Sequence, residues 1–161
     1  MIRRLVRSGS PCEEQYGFSR GVRVGDRVEI AGTAPIPPPS EPVGSTAYEQ
    51  MLRCGEIAVA ALEGLGATAG DVVRTRMFIT TAQDQEEIGR AHQQVFGEAS
   101  PAATMVVVAG LLDSSWKVEI EVDGVVLARN YSIWPSGHVV VPILMEHPEI
   151  PCQGVSWAPY L

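Results

Sequence analysis

The sequence is poor in the residue classes that mark disulfide scaffolds, membrane proteins and exported proteins. Its three cysteines, Cys12, Cys54 and Cys152, include no CxxC pair, which is typical of reduced thiols in a cytoplasmic protein. No stretch reaches the roughly 18 apolar residues of a membrane helix, and the basic segment 1–7 is not followed by the apolar run of a secretory signal. We therefore expect a cytoplasmic protein without a membrane partner.

Positive charge is also scarce, because 12 lysines and arginines stand against 19 acidic residues and leave a formal charge of −7. Such a surface repels phosphate groups, which argues against a nucleic-acid partner. The chain contains neither a P-loop nor a GxGxxG fingerprint. His138, His147 and Cys152 do not have the spacing of a closed zinc site. We therefore expect neither a metal nor a cofactor.

What the chain does have is enough apolar material for one packed domain. Its 161 residues are 45 % apolar and 19 % charged, so a core of ordinary size can form.

Val22 and Val24 precede the dipeptide at 25–26, and Val28 and Ile30 follow it. This alternation around a tight-turn pair predicts a β-hairpin. The proline-rich segment 35–42 then predicts a stiff, exposed loop.

Two amphipathic helices follow from capping signals and apolar stripes. Thr46 and Glu49 have the spacing of a capping box, and the apolar stripe that begins there ends before Gly66. Asp84 suggests the cap of a second helix, and Gly97 its end. A buried, structural role is the favoured interpretation of Cys54 in the first helix.

Three further segments are predicted to be strands. Residues 71–80 alternate, with Val73 assigned to the same face as Met77 and Ile79. The continuous β-branched run 104–108 predicts a strand buried on both faces. Residues 117–127 alternate again, with Glu119 on the polar side.

The resulting order is strand, strand, helix, strand, helix, strand, strand. Two helices can cover only one face of such a sheet, so the sequence predicts an α+β sandwich with a mixed β-sheet. The other face carries Glu119 together with apolar neighbours. Such a face needs a partner that leaves room for water, and self-association with clefts between subunits meets that need.

The same residues resemble the RidA/YjgF family, also called the endoribonuclease L-PSP family. The resemblance covers residues 16–128 and is carried by segments 24–26, 31–33, 70–75 and 118–121, together with Phe96 and Pro101-Ala102. It implies an architecture similar to that of trimeric chorismate mutase and a homotrimer with inter-subunit clefts. It also divides the chain into a RidA-like domain, 1–128, and a C-terminal extension, 129–161, which we expect to pack on the domain or on a neighbouring subunit.

The resemblance further implies an activity and a set of site residues. RidA-type enzymes hydrolyse reactive enamines and imines to keto acids and ammonia, and a glutamate handles the proton. That glutamate falls on Glu119, and the family's cleft tyrosine falls on Tyr16. Its carboxylate-binding arginine falls on Ala103, its serine on Ala31 and its asparagine on Gly89. Three of these five positions depart from the family pattern, which places the chain in an arginine-less branch.

The missing arginine decides which ligand we expect. Alanine cannot form the two charge-assisted hydrogen bonds that arginine gives a carboxylate, and losing such a contact costs about 2–5 kcal/mol. We therefore expect the ligand to be a small, largely uncharged metabolite that binds beside Glu119. Glu119 would act as the general base for its hydrolysis or isomerisation. Tyr16, Ala103, Thr104 and Arg76 are the candidate ligand-binding residues.

Two other functions stay open. The first is an enamine/imine deaminase whose carboxylate anchor has moved to Arg74 or Arg76. The second is a non-enzymatic regulatory or assembly protein. For Arg76 an ion pair with Glu119 or Glu121 is the favoured alternative, and for His92 a packing role is favoured over titration near neutral pH.

Overall fold

The computed structural model describes residues 2–127. The extension 129–161, with its predicted packing and its two histidines, lies outside the described residues. The strands are β1 (Arg3–Val6), β2 (Gly21–Val24), β3 (Arg27–Thr33), β4 (Val72–Ile79), β5 (Ala102–Val107) and β6 (Val118–Val125). The helices are α1 (Pro11–Tyr16), α2 (Ala47–Gly64) and α3 (Gln85–Phe96). Within residues 2–127 no helix has the length and apolar content needed to cross a membrane.

The six strands form one mixed sheet in the order β1-β2-β3-β6-β4-β5. All neighbours are antiparallel except β4 and β5, which run parallel. Helix α2 packs against α3 and against β3 and β6. The buried residues of β6, Val118, Ile120 and Val122, alternate with partly exposed ones. The predicted α+β sandwich with helices on one face is therefore confirmed.

The hairpin and the first helix form where the sequence predicts them. Strands β2 and β3 are joined by a two-residue turn in which Gly25 has φ +65°, a conformation that glycine adopts without strain. Thr46 and Glu49 form both hydrogen bonds of a capping box at the start of α2. Gly66, with φ +73°, follows its last turn.

Gln50 ties this helix to two loops. Its side chain is buried, and its amide nitrogen donates to the carbonyls of Gly44, at 2.8 Å, and Ser115, at 3.0 Å. Its amide oxygen accepts a hydrogen bond from the backbone N–H of Lys117, at 2.7 Å. All three bonds hold the entry to β6 and the entry to α2 in fixed positions relative to each other.

The N-terminal segment adds two elements, β1 and α1, that were not predicted. Ser10 caps α1, and Pro11 occupies its first turn, where a missing N–H is harmless. The carboxylate of Glu13 is buried and accepts hydrogen bonds from the backbone N–H and the hydroxyl of Ser8, at 2.9 and 3.0 Å. A serine cap, a first-turn proline and two following acidic residues were the signal in the sequence.

Two strand predictions are wrong in detail. A register shift between Val72 and Arg74 leaves Val72 buried and Val73 exposed, so Val73 does not share the face of Met77. The apolar run predicted as a doubly buried strand is β5, which lies at the edge of the sheet and pairs only with β4 among the described strands. Val106 and Val107 are 43 % and 57 % exposed.

Asp84 is the N-cap residue of α3, as predicted, but its side chain does not act as the cap. Asp84 makes no capping hydrogen bond to α3. Its carboxylate instead accepts from the Lys117 ammonium at 3.2 Å. The Thr81 hydroxyl accepts a hydrogen bond from the backbone N–H of Gln83, which lies two residues before α3 begins. Gly97 ends the helix as predicted.

Candidate functional site

Glu119 lies on the central strand β6, on the face of the sheet opposite the helices. Its neighbours Val118 and Ile120 are fully buried on the helix side, whereas Glu119 is half-buried. Glu121 and Asp123 share its face because side chains alternate along a strand. We call this the helix-free face and define it by Glu119, Glu121 and Asp123 of β6 and by Arg76, which pairs with Glu121 across the ladder.

Gly32 forms the wall against which Glu119 lies. A Cβ built on Gly32 would collide with Oε1 of Glu119, so any larger residue would displace the carboxylate. The ladder between β3 and β6 has an irregularity here, because Ile30 pairs with Val122 but Thr33 pairs with Ile120. Strand β3 therefore carries one extra residue, as in a β-bulge, and bulges often re-aim side chains next to sites.

The environment raises the pKa of Glu119 above its ordinary value. Burial is the main cause, since it disfavours the charged carboxylate. The positive charge of Arg20 opposes this shift, and the negative charge of Glu121 adds to it. A carboxylate with a raised pKa accepts and returns protons more readily near neutral pH than an ordinary glutamate does.

A cleft of about 400 Å³ lies on the helix-free face. It is lined by residues from β2, β3, β4 and β6 and by the segment before β2: Ser19, Val22, Arg27, Glu29, Ile30, Ala31, Arg76, Glu121 and Asp123. Two arginines and three carboxylates give the lining a formal charge of −1. A negatively charged lining disfavours a carboxylate ligand and suits a neutral or cationic one.

Arg76 is engaged in this lining. Its Nη2 lies 3.1 Å from Oδ2 of Asp123, and its Nη1 lies 3.4 Å from Oε2 of Glu121. These partners raise the pKa of Arg76, chiefly through the hydrogen bond that Arg76 donates to Asp123. The structure thus places Arg76 in the ion pair that the sequence suggested as the alternative to a substrate clamp, with Asp123 as an additional partner.

The two candidate residues of β5 lie on different faces of the sheet. Thr104 is in register with Arg76 and therefore shares the helix-free face. Ala103 is in register with Thr75, which is buried on the helix side. Within one chain, Ala103 and Glu119 therefore do not face each other.

The remaining candidates are exposed or have packing roles. Tyr16 is the last residue of α1 and is 69 % exposed. His92 lies 2.8 Å from the hydroxyl of Thr75 and packs near the Phe96 ring, and burial lowers its pKa. Cys54 is fully buried, and burial strongly raises the pKa of its thiol, so it is unreactive.

Two residues that the sequence did not single out define the surroundings of Glu119. In the sequence, Gly32 stands out only as part of a family segment, and nothing marks Arg20. Only the β-bulge brings the extra residue of β3 against β6, and a bulge cannot be identified from residue alternation alone. In residues 2–127 no group of three or more histidine, cysteine or acidic side chains is arranged to hold a metal ion.

The model of the family described as endoribonuclease L-PSP matches residues 11–126. The chain belongs to this family, which is the RidA/YjgF family. The match contains the hairpin, both long helices and β6. The predicted resemblance is therefore confirmed, and it extends to α1, upstream of where the resemblance was expected to begin.

Relatives and solved structures agree with this assignment. An uncharacterised protein of Streptomyces coelicolor is 38 % identical over 120 residues, which are 74 % of this chain and 90 % of that protein. A structure from Mycobacterium tuberculosis, described as a member of the YjgF/YER057c/UK114 family, is 38 % identical with a TM-score of 0.71 and covers 78 % of this chain and 100 % of its own. The 2-iminobutanoate/2-iminopropanoate deaminase of Salmonella typhimurium is 27 % identical over 70 % of this chain and 88 % of its own.

Proposed function

We propose that this protein is a homotrimer that binds a small, neutral or cationic metabolite in clefts between its subunits and hydrolyses or isomerises it with Glu119 as the general base. We place it in the cytoplasm and assign it no metal, cofactor or nucleic-acid partner. The observation that carries the proposal is the half-buried Glu119 carboxylate, held against Gly32 with a raised pKa.

The chemistry that suits this carboxylate is proton transfer to and from a substrate bound on the helix-free face. In hydrolysis of an imine, Glu119 takes a proton from water as the water oxygen adds to the C=N carbon. The same carboxyl returns this proton to the nitrogen, which completes a carbinolamine. Glu119 then takes the hydroxyl proton of the carbinolamine and gives it to the nitrogen, so that the C–N bond breaks, a carbonyl forms and an amine or ammonia leaves. In isomerisation, Glu119 would carry a proton from one substrate atom to another. General-base catalysis of this kind contributes about 10²- to 10⁴-fold in rate.

The charges around the cleft favour a substrate without a carboxylate. The cleft lining is negative by one charge, and Glu119 lies on the same face. Arg76, the arginine of this lining that stands beside β5, is already paired with Asp123 and Glu121. A carboxylate substrate would therefore meet repulsion and would compete with Asp123 and Glu121 for Arg76, whereas an amine or a neutral imine would not.

Self-association is supported by apolar surface that a single chain leaves exposed. Val106 and Val107 of the edge strand β5 are 43 % and 57 % exposed, and an uncovered apolar edge strand invites pairing with another chain. In the proposed trimer, Ala103 of one copy would line a cleft on the helix-free face of its neighbour. Both features agree with the clefts between subunits that the family resemblance implies.

A second candidate function is enamine/imine deamination on amino-acid-derived substrates. It is favoured by the similarity to proteins named 2-iminobutanoate/2-iminopropanoate deaminase in Salmonella typhimurium and Escherichia coli. It requires a carboxylate anchor other than position 103. A third, non-enzymatic function as a regulatory or assembly protein predicts that changes at Glu119 have no effect on activity in the cell.

The deciding experiment compares two imines, generated in situ, that differ only in the presence of a carboxylate. Ammonia and carbonyl release are measured with the wild-type protein, with Glu119→Gln and with Glu63→Gln, an exposed glutamate of α2 that serves as the matched control. We expect acceleration for the neutral imine, a loss of about 10²- to 10⁴-fold in Glu119→Gln and no change in Glu63→Gln. Acceleration of the carboxylated imine alone would show that the protein is a deaminase of amino-acid-derived substrates instead. If neither imine is accelerated, the proposed hydrolase function is wrong.

A variant at position 103 tests whether β5 of a neighbouring copy reaches the site. Ala103→Arg restores the charge that the family uses at this position, and two charge-assisted hydrogen bonds would then become available. We expect its affinity for a small carboxylate such as pyruvate, measured by calorimetry, to rise at least tenfold over that of the wild-type protein. No rise in a variant that remains trimeric would mean that Ala103 does not line the cleft.

A further inference from the structure

Arg20 is the residue that connects the backbone around Gly32 to the charge of Glu119. It stands directly before β2, and its backbone carbonyl accepts a hydrogen bond from the N–H of Ala31 at 3.0 Å. Its Nη1 donates to the carbonyl of Gly32 at 2.6 Å and to the Thr33 hydroxyl at 3.1 Å. The side chain is therefore fixed on the extra residue of β3 rather than extended into solvent.

The irregular ladder explains why this segment needs a side-chain donor. Between the pairs Ile30–Val122 and Thr33–Ile120, β3 advances by one residue more than β6 does. A bulge interrupts the regular exchange of backbone hydrogen bonds, so carbonyls in it need other donors. Arg20 supplies them, and a guanidinium can do so because its planar fork presents several N–H groups at once.

The remaining atoms of the guanidinium show how closely Arg20 is packed. Its Nε is buried and has no hydrogen-bond partner among residues 2–127. The cost of such an unpaired buried donor is substantial, and the fold retains it while Nη1 holds Gly32 and Thr33. The Nη1 group of Arg20 is thus committed to this segment.

The charge of Arg20 acts on two glutamates, Glu119 and Glu13. It lowers the pKa of Glu119 against the opposite effects of burial and of Glu121. It also lowers the pKa of Glu13, after the larger effect of the Ser8 backbone hydrogen bond. Cys54 of α2 lies within the field of Glu119 but stays neutral because it is buried. Arg76 of β4 is neutralised by Glu121 and Asp123, so Arg20 is the cation that offsets the burial of Glu119 within the described residues.

We propose that Arg20 is the positioning residue of the Glu119 site: its Nη1 fixes the backbone of Gly32, against which the Glu119 carboxylate lies, and its guanidinium supplies the positive charge that acts on that carboxylate. Arg20 acts through Glu119 and Gly32 and does not touch the substrate. This inference deepens the proposed function, on which it rests for the role of Glu119 as general base.

The test is a ¹³C NMR titration of the Glu119 side-chain carboxyl, which does not depend on catalytic activity. In Arg20→Gln the positive charge is removed, and we expect Glu119 to titrate at higher pH than in the wild-type protein. In Arg20→Lys the charge is kept but the fork is lost. We then expect the Glu119 titration to stay near that of the wild type, while the amide signals of Gly32 and Thr33 move.

The matched control is Arg3→Gln, which removes an exposed arginine of the edge strand β1. We expect it to leave the Glu119 titration unchanged. An Arg20→Gln protein whose Glu119 titrates as in the wild type would overturn the proposal. If Arg20→Gln fails to fold, unchanged Gly32 and Thr33 signals in Arg20→Lys would overturn it instead.

Activity measurements separate this inference from the proposed function. If Glu119→Gln retains full activity on both imines, Glu119 is not the base, whatever its titration in the Arg20 variants. If Glu119→Gln is inactive, Arg20→Gln should move the acidic limb of the kcat/KM profile to higher pH, because the base then needs a higher pH to ionise. If the acidic limb of the kcat/KM profile does not move, Glu119 is still the base, but Arg20 is not its positioning residue.

Discussion

The carboxylate of Glu119 fills the space that a side chain on Gly32 would occupy. The two residues come from neighbouring strands, β3 and β6, and meet where β3 gains one residue over its partner. The observed position of the Glu119 carboxylate therefore requires a residue without a Cβ at position 32.

Gly32→Ala should displace Glu119 without unfolding the protein. The new methyl group collides with the carboxylate, which lies on a half-buried face and can rotate away. A misplacement of about 1 Å costs on the order of 10²-fold in rate, so we expect a loss of that size in kcat/KM for the neutral imine. Gly110→Ala is the matched control, because a Cβ there meets nothing within 4 Å. Equal activity of the Gly32→Ala and Gly110→Ala variants would show that Gly32 is not part of the site.

Gln50→Leu should destabilise the fold although leucine has a similar volume. The change leaves the Lys117 N–H and the carbonyls of Gly44 and Ser115 without their partner. The three hydrogen bonds are partly buried, and a lost hydrogen bond costs about 1 kcal/mol, so we expect the free energy of unfolding in urea to fall by about 2 kcal/mol. Gln85→Leu, at an exposed position, should change it by less than about 0.5 kcal/mol. Similar midpoints for the two variants would contradict this role.

The attachment of α1 should depend on the ionisation of Glu13. Hydrogen bonds from Ser8 are the main reason why the pKa of this buried glutamate lies below its ordinary value. The stabilisation is therefore fully present above the pKa of an unfolded glutamate and is lost as the pH falls through the lower, folded value. The Ser8 amide signal, followed by NMR from pH 7 downward, should shift in that acidic range. In Glu13→Gln the shift should be absent, and a shift that persists there would refute the assignment.

Val107→Asp should weaken self-association and leave the fold of a single chain intact. The side chain is 57 % exposed on the edge strand, so a charge there costs little in the isolated chain but is costly if a second copy covers it. We expect the proposed trimer to dissociate in sedimentation velocity experiments at micromolar concentration. Leu112→Asp, at a position that is 97 % exposed, is the control. A Val107→Asp protein that sediments as the wild type would place the interface elsewhere.

The parts of the fold that follow from local signals could be predicted from the sequence. The hairpin follows from alternation around Gly25-Asp26, and the start of α2 follows from Thr46 and Glu49, because both signals act over a few neighbouring residues. The face carrying Glu119 follows from the alternation in β6. These predictions needed no knowledge of which strands are neighbours in the sheet.

The parts that depend on strand neighbours could not be predicted in this way. An apolar run such as 104–108 fits a central strand and an apolar edge strand equally well, and only the sheet order decides between them. Ala103 and Thr104 could be assigned to opposite faces only once their register with Thr75 and Arg76 was known. The contact of Arg20 with Gly32 arises from a bulge, which disturbs the alternation on which sequence predictions depend.

The edge position of β5 has a consequence for hydrogen exchange. Strand β5 is held by the single neighbour β4 among the described strands, so the backbone N–H groups on its outer side lack a strand partner there. Segments with few neighbours open at low free-energy cost and exchange their amide protons early. A copy that pairs with this edge would slow that exchange in proportion to its occupancy. The deuterium uptake of residues 102–107, followed against protein concentration, therefore measures assembly at the strand itself.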